Sequence, residues 1–207
     1  MKLFYYRHSS ASRRVRIALA LKNVDYEAIE VDLSKGEHQE GWYQAIHPQC
    51  LVPALAVGDG IVLTQSEAIV TWLDDTYPEP PLFGRDPKFR AAALEIVGII
   101  GADVHPLQGL RLSRWLQDEQ VPARVFTQIA QRSLTEGLNA CEFLLQRAAE
   151  NQYCFGNQPG AAEIWLVPQL ANARRHGVEV ERYQRLAEIE QACLRLDAFR
   201  LILFPET

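Results

Sequence analysis

The stretch His8-Ser9-Ser10-Ala11-Ser12 stands between a short apolar segment, 3–6, and a helical pattern that opens with Arg13-Arg14-Val15-Arg16. Hydroxyls placed before a first helical turn accept hydrogen bonds from backbone N–H groups that have no intrahelical partner. The same place attracts anions, because free donors meet the positive end of the helix dipole, and a spare hydroxyl can donate a further bond to a thiolate or carboxylate. Two uses therefore fit Ser9 and Ser10: a plain cap, or a cap that also holds an anion. Gln65-Ser66 poses the same choice at the start of another helical pattern. Val52-Pro53, between a loop and a strand, reads as a trans turn or as a cis bond that frees the preceding backbone to pair with an incoming peptide. Arg111, Arg174 and Arg175 lie in later helical patterns, where such residues form a solvated face or clamp carboxylates with a planar, fixed charge.

Histidines and cysteines add less. His38 sits in a loop, and His105 precedes Pro106 inside a helical pattern, where a kink turns side chains outward. Cys50, Cys141, Cys154 and Cys193 are widely spaced, with no C-x-x-C and no histidine at ligand spacing, so no metal site is expected. They read as reduced, packed thiols.

The elements that must position these residues follow from periodicity. Residues 2–6 read as a strand, 12–23 as a helix with Val15, Ala18, Leu19 and Leu21 on its apolar side, and 26–33 as a second strand, giving a β-α-β unit. A polar connection over 34–48 reads as a loop with room for one short helix and an exposed Trp42-Tyr43. Residues 54–57 and 61–63 flank Asp59-Gly60, a hairpin signal, and Ser66 caps a helix reaching Thr76. Four prolines within 77–87 exclude a helix or central strand there. Boundaries are accordingly expected at 1–78 for an α/β domain, 79–87 for a linker and 88–207 for an all-helical domain. Its helices are expected over 88–116, 122–150, 161–176, 182–196 and 198–203.

The 207 residues are 48% hydrophobic, enough for a sizeable core without staples, and the formal net charge of −5 argues against a nucleic-acid partner. No stretch approaches the roughly 20 apolar residues of a membrane span, and residues 1–6 are too short for a signal sequence, so a cytoplasmic protein is expected.

The run Ser9-Ser10-x-x-x-Arg14-Val15-Arg16-Ile17-Ala18-Leu19-Ala20-Leu21-Lys22 resembles the opening of zeta-class glutathione transferases, the family of maleylacetoacetate and maleylpyruvate isomerases. Val52-Pro53-Ala54-Leu55, Gln65-Ser66-x-Ala68-Ile69, His105-Pro106-Leu107-Gln108 and Leu166-Val167-Pro168-Gln169-x-Ala171-Asn172-Ala173-Arg174 look like later family signatures in the family's order. The resemblance implies a thioredoxin-like α/β N-terminal domain followed by an all-α C-terminal domain, and a homodimer. It implies glutathione as cofactor, held at Ser9, Ser10, Ala11, His38, Val52, Pro53, Gln65, Ser66 and His105. In the family the proline matching Pro53 is cis, and the first serine activates the thiol, with Ser10 as close competitor. His8, Arg111, Arg174 and Arg175 are the implied contacts of a maleyl-type acid, whose double bond isomerises after reversible thiolate addition. General conjugation or reduction of small electrophiles, and non-catalytic glutathione binding, are the alternatives.

Three departures from the family pattern stand out. The Ser-Ser-Cys triplet is Ser9-Ser10-Ala11, which removes a thiol from beside the glutathione sulfur. The arginine preceding the serines is His8, with Arg7 displaced by one residue and hence toward the opposite face of an extended segment. The Ser/Thr-x-x-Asp box of a late helix is Gly160-Ala161-Ala162-Glu163, which has no capping hydroxyl.

Overall fold

The computed structural model describes residues 1–148 and 151–204. The chain separates into two compact units: Met1–Leu82 joined by the C-terminal segment from Asp197, and Phe83–Leu196. The C-terminal helix therefore belongs with the first unit, not with the helical domain where the sequence pattern puts it.

In the first unit β1 (Lys2–Tyr5) leads into α1 (Ser10–Leu21) and returns as β2 (Glu27–Glu30), parallel to β1 with Leu3 opposite Ala28. A 3-10 turn (Glu37–Gln39) and the four-residue α2 (Gly41–Gln44) occupy the connection expected to be a loop with room for one short helix. Next come β3 (Ala54–Gly58), β4 (Ile61–Thr64) and α3 (Ser66–Thr76), and the sheet order is β2-β1-β3-β4. The hairpin forms where Asp59-Gly60 predicts it. Both residues have positive φ, 51° and 76°, as a tight turn between twisted strands requires.

Pleating gives the sheet two apolar faces. Phe4 and Ala54, register partners, belong to a cluster with Val31, Val52 and Tyr43. Leu3 and Leu55, one residue along, point the other way and are fully buried, like Val15, Ile17 and Leu19 of α1 and Ile69, Val70 and Leu73 of α3. Tyr43 is thus a core residue, correcting its expected exposure; only its neighbour Trp42 is exposed.

The proline-rich segment is fastened to this unit by one lysine. Lys22, at the end of α1, buries its side chain and donates from Nζ to Asp74 Oδ1 at 2.6 Å, to the Tyr77 carbonyl at 2.5 Å and to the Pro80 carbonyl at 2.6 Å. The same Asp74 oxygen accepts the Leu82 amide at 2.7 Å.

The second unit is helical: α4 (Pro87–Gly98), α5 (Leu110–Asp118), α6 (Ala123–Gln146), α7 (Ala161–Arg175) and α8 (Gln184–Leu194), with α9 (Asp197–Leu203) returning to the first unit. Asp86 caps α4 by accepting the Lys88 and Phe89 amides, and Pro87 takes the first position, where no N–H is needed. The single helix expected over 88–116 is broken. A π-helical segment (Ile99–Val104) and a 3-10 turn (His105–Gln108) separate α4 from α5, since Pro106 lacks the donor that a continuous ladder needs. A Cβ at Gly137 of α6 would lie 2.2 Å from Val104 Cγ2, so only glycine permits α6 to approach the π segment this closely. The helix expected over 122–150 ends at Gln146, and positions 149–150 lie outside the described residues. At α7, which is buried on most of its faces, Glu163 supplies the carboxylate half of a capping box, accepting the Gly160 amide at 2.7 Å and the Cys154 amide at 2.6 Å. Among the described residues no helix is long and apolar enough to cross a membrane.

Replacing Lys22 by methionine removes three hydrogen bonds from a buried ammonium, one of them an ion pair with the mostly buried Asp74 carboxylate. Denaturant unfolding should show a loss of about 3 kcal/mol; a loss below about 1 kcal/mol would mean that the lysine does not hold the segment.

Candidate functional site

The turn from β1 into α1 is locked by its own serines. Ser9, in an extended conformation, caps α1: its Oγ accepts the Ser12 amide at 3.2 Å while its carbonyl accepts the Arg13 amide at 3.0 Å. Ser12, buried in the first turn, accepts the Tyr6 amide with its Oγ at 3.2 Å, and the Ser9 amide donates to the Tyr6 carbonyl at 3.0 Å. Because Ser9 Oγ caps by accepting, the cap does not use its hydroxyl hydrogen. Ser10 and Ala11 are buried in the first turn behind it. His8 is exposed, with its ring edge-on to Tyr6 at 5.4 Å.

Arg7 is occupied elsewhere. Its Nε and Nη2 donate to the two oxygens of Glu30 on β2, at 2.7 and 2.5 Å, and its amide donates to the same carboxylate at 3.3 Å. That guanidinium holds the Glu30 carboxyl below the usual carboxylate range. The cation beside His8 is thus committed to the sheet edge.

The second helix start lies in the same unit. Gln65, at φ 69°, precedes α3 without capping it through its side chain, so Ser66 is the first helical residue rather than the cap. Arg14 of α1 is buried and donates from Nη1 to Ser66 Oγ at 3.4 Å, which joins the two helix starts. Burial pulls the Arg14 guanidinium down to about 9, leaving it charged at neutral pH. Sequence reasoning quoted Arg14 only as part of a motif, because an arginine in a basic cluster usually marks a solvated face.

Val52-Pro53 is a cis bond, just before β3. The Val52 side chain belongs to the Phe4 and Tyr43 cluster, and the loop before it is folded on itself: the Cys50 amide donates to the His47 carbonyl at 2.8 Å, and Cys50 has φ 53°. Gln65 Nε2 donates to Gln49 Oε1 at 2.9 Å across to the α3 start. His38 is buried in the 3-10 turn.

The helical unit carries the other predicted residues. His105 is half-buried at the start of its 3-10 turn. Arg111 on α5 lies over the Trp115 ring, 5.9 Å from its centroid. Arg174 and Arg175, adjacent on α7, diverge. Arg174 gives Nε to Glu181 at 2.9 Å and both terminal nitrogens to Glu190 at 2.7 Å, which commits the whole fork to ion pairs inside the unit. The pairs occupy Nε and both terminal nitrogens of Arg174. Arg175 is exposed and is held by a chain in which its Nη2 donates to Asn172 Oδ1 and Asn172 Nδ2 donates to Gln108 Oε1. Three cysteines are buried and Cys50 is half-buried; all four are free.

The chain matches the family model for the glutathione S-transferase N-terminal domain over residues 8–76. It is 39% identical to maleylacetoacetate isomerase of Pseudomonas aeruginosa, covering 97% of this chain and 94% of that one. A holo structure of maleyl pyruvate isomerase, described as a bacterial glutathione-S-transferase of the zeta class, superposes with a TM-score of 0.94 at 36% identity over the full length of both chains. Maleylacetoacetate isomerase of Anaeromyxobacter dehalogenans 2CP-1, with dicarboxyethyl glutathione and citrate in its active site, superposes with a TM-score of 0.84 at 33% identity, over 97% of this chain and 93% of that one. With the serine-capped α1, the cis Val52-Pro53 bond and the thioredoxin-like sheet in place, these likenesses assign the chain to the zeta class of glutathione transferases.

Proposed function

We propose that this protein is a glutathione-dependent cis-trans isomerase of a maleyl-type acid, of the maleylacetoacetate or maleylpyruvate isomerase kind. The observation that carries the reading is the Ser9 cap: a hydroxyl that accepts the Ser12 amide and keeps its hydrogen to donate, at the positive end of a twelve-residue helix. The α/β unit fits the tripeptide beyond that point. The uncapped first turn of α3 with Ser66, backed by the buried Arg14, suits the γ-glutamyl carboxylate, and Gln65 borders it. The Val52 backbone before cis Pro53 suits the cysteinyl unit. Ser10, Ala11, His38 and His105 are the remaining assigned contacts.

When bound, glutathione supplies a thiolate that adds reversibly to an activated double bond and so lets it rotate. The chain's own residues do the rest. Ser9 donates to the sulfur and favours its ionised form. Arg111 and Arg175 take the acid's carboxylates, Arg175 with its fork preset by Asn172 and Gln108. Arg174 supports that region through Glu181 and Glu190. A homodimer is the proposed assembly, with exposed Ile61, Val62, Phe89 and Leu94 offering apolar surface to a second copy. The free thiols suit the cytoplasm.

Exposed His8, standing where relatives have an arginine, favours a second reading: conjugation or reduction of small electrophiles that carry fewer carboxylates. Turnover of maleylacetoacetate, maleylpyruvate and a halogenated acid, each with and without glutathione, separates the two. The isomerase reading requires glutathione-dependent turnover of a maleyl acid without net consumption of the thiol.

Ser9→Ala should raise the pH at which the bound thiol ionises and cut turnover by about one to three orders of magnitude. Normal Ser9→Ala beside an inactive Ser10→Ala would transfer the donor role to Ser10.

The two arginines of α7 should separate cleanly. Arg174→Met should cost about 1–3 kcal/mol in denaturant unfolding, since it strips the buried Glu190 of its partner, with little change in the KM for the acid. Arg175→Met should raise that KM about tenfold or more and leave stability within about 0.5 kcal/mol. The reverse pattern would reassign them.

An imidazole at position 8, unlike a guanidinium, offers a carboxylate a charge that depends on pH. Affinity for a non-reactive dicarboxylate should therefore rise on acidification, and His8→Arg should tighten it and flatten its pH dependence between about 5.5 and 7.5. An unchanged profile in His8→Arg would remove His8 from the acid's site and favour the second reading.

A further inference from the structure

We infer that Tyr43 is a positioning residue for glutathione: its hydroxyl fixes the Leu51 carbonyl, and through it the Val52 backbone that pairs with the cysteinyl unit of the ligand. The inference rests on the glutathione reading above.

The ring and the hydroxyl of Tyr43 have separate tasks. The ring is fully buried on α2 and packs edge-on against Phe4 of β1 at 6.1 Å and Trp42 at 5.4 Å, inside the cluster that also holds Val52. That anchors it to the sheet. The hydroxyl donates to the Leu51 carbonyl at 2.6 Å, a bond spanning eight residues from α2 to the position just before Val52. Phenylalanine fills the same volume, so packing alone does not call for the oxygen. Burial pushes the phenol well above its ordinary pKa, which keeps the O–H a donor at every working pH.

The loop that the bond restrains also carries local ties: the Cys50 amide donates to the His47 carbonyl at 2.8 Å and the Gln49 amide to His47 Nδ1 at 3.3 Å. On its outer side Gln49 is joined to Gln65 by an exposed amide pair. The Tyr43 bond adds a tie from the carbonyl just before Val52 to a ring packed in the sheet's core. Without it, the peptide unit joining Leu51 to Val52 samples other orientations, and ligand binding has to bear the cost of ordering it. Losing one such bond corresponds to about a five- to twentyfold weaker complex.

The test uses the full chain and its Tyr43→Phe variant, with calorimetric Kd values for reduced glutathione and for an analogue whose cysteinyl carbonyl is replaced by a methylene, which cannot accept from the Val52 amide of the peptide unit that Tyr43 fixes. Tyr43→Phe should weaken glutathione binding about five- to twentyfold and leave the pH of thiol ionisation and kcat at saturating glutathione within about twofold. The methylene analogue should bind the two proteins within about twofold of each other, because it no longer reads the orientation of the Val52 amide. A lowered melting midpoint with unchanged Kd would make the hydroxyl merely structural and overturn the inference. So would equal losses for both ligands. Failure of the unmodified protein to bind glutathione at all would instead overturn the glutathione reading and this inference with it.

Discussion

The site depends on how the start of α1 is held. A helix begins with backbone amides that lack partners, and the way these are satisfied decides whether the end of the helix is closed or can serve an anion. Here Ser9 and Ser12 satisfy the turn from inside: Ser9 Oγ accepts the Ser12 amide, and Ser12 Oγ reaches back to the Tyr6 amide at the end of β1. The two bonds tie strand to helix through the acceptor capacity of both hydroxyls and use neither hydroxyl hydrogen.

The rest of the α/β unit serves to keep a second helix start and a loop in register with the first. Arg14 links α1 to Ser66 from below, at the expense of burying a guanidinium, and the Gln49–Gln65 pair links the α3 start to the loop that leads into cis Pro53. Lys22 plays the analogous part at the far end of α1, gathering Asp74 and two carbonyls of the proline-rich segment. In each case a long cationic or amide side chain spans elements that sheet pairing alone would leave independent.

Much of this was legible in the residues. The serine cluster, the Asp59-Gly60 turn, the proline-rich break and the amphipathic helices follow from local rules, because each is decided within a few residues of itself. Asp86-Pro87 and Gly160-x-x-Glu163 are local too. The parts that periodicity misplaced are set by distant partners. Tyr43 looks like an exposed loop aromatic until Phe4, thirty-nine positions earlier, supplies the wall against which it packs. The helix through 88–116 looks continuous because its apolar pattern runs on, whereas the lost donor at Pro106 and the close approach of Gly137 favour a π segment and a 3-10 turn. Arg174 and Arg175 are indistinguishable as letters; only Glu190, from the next helix, tells them apart.

The same distinction bears on the departures at His8 and Ala11. Arg7, which by composition alone could restore the missing cation, is bound bidentately by Glu30 on the neighbouring strand, and using it elsewhere would break a charge-assisted fork and a backbone bond together. Nor does Arg13, buried and donating from Nε to the Arg7 carbonyl, replace it without unpinning the same turn. A fixed positive charge on the loop before α1 is therefore not recoverable from its neighbours. The imidazole of His8 differs from the guanidinium it replaces in lacking both the planar fork and the fixed charge, so any role it has in the proposed site depends on pH in a way that an arginine's would not.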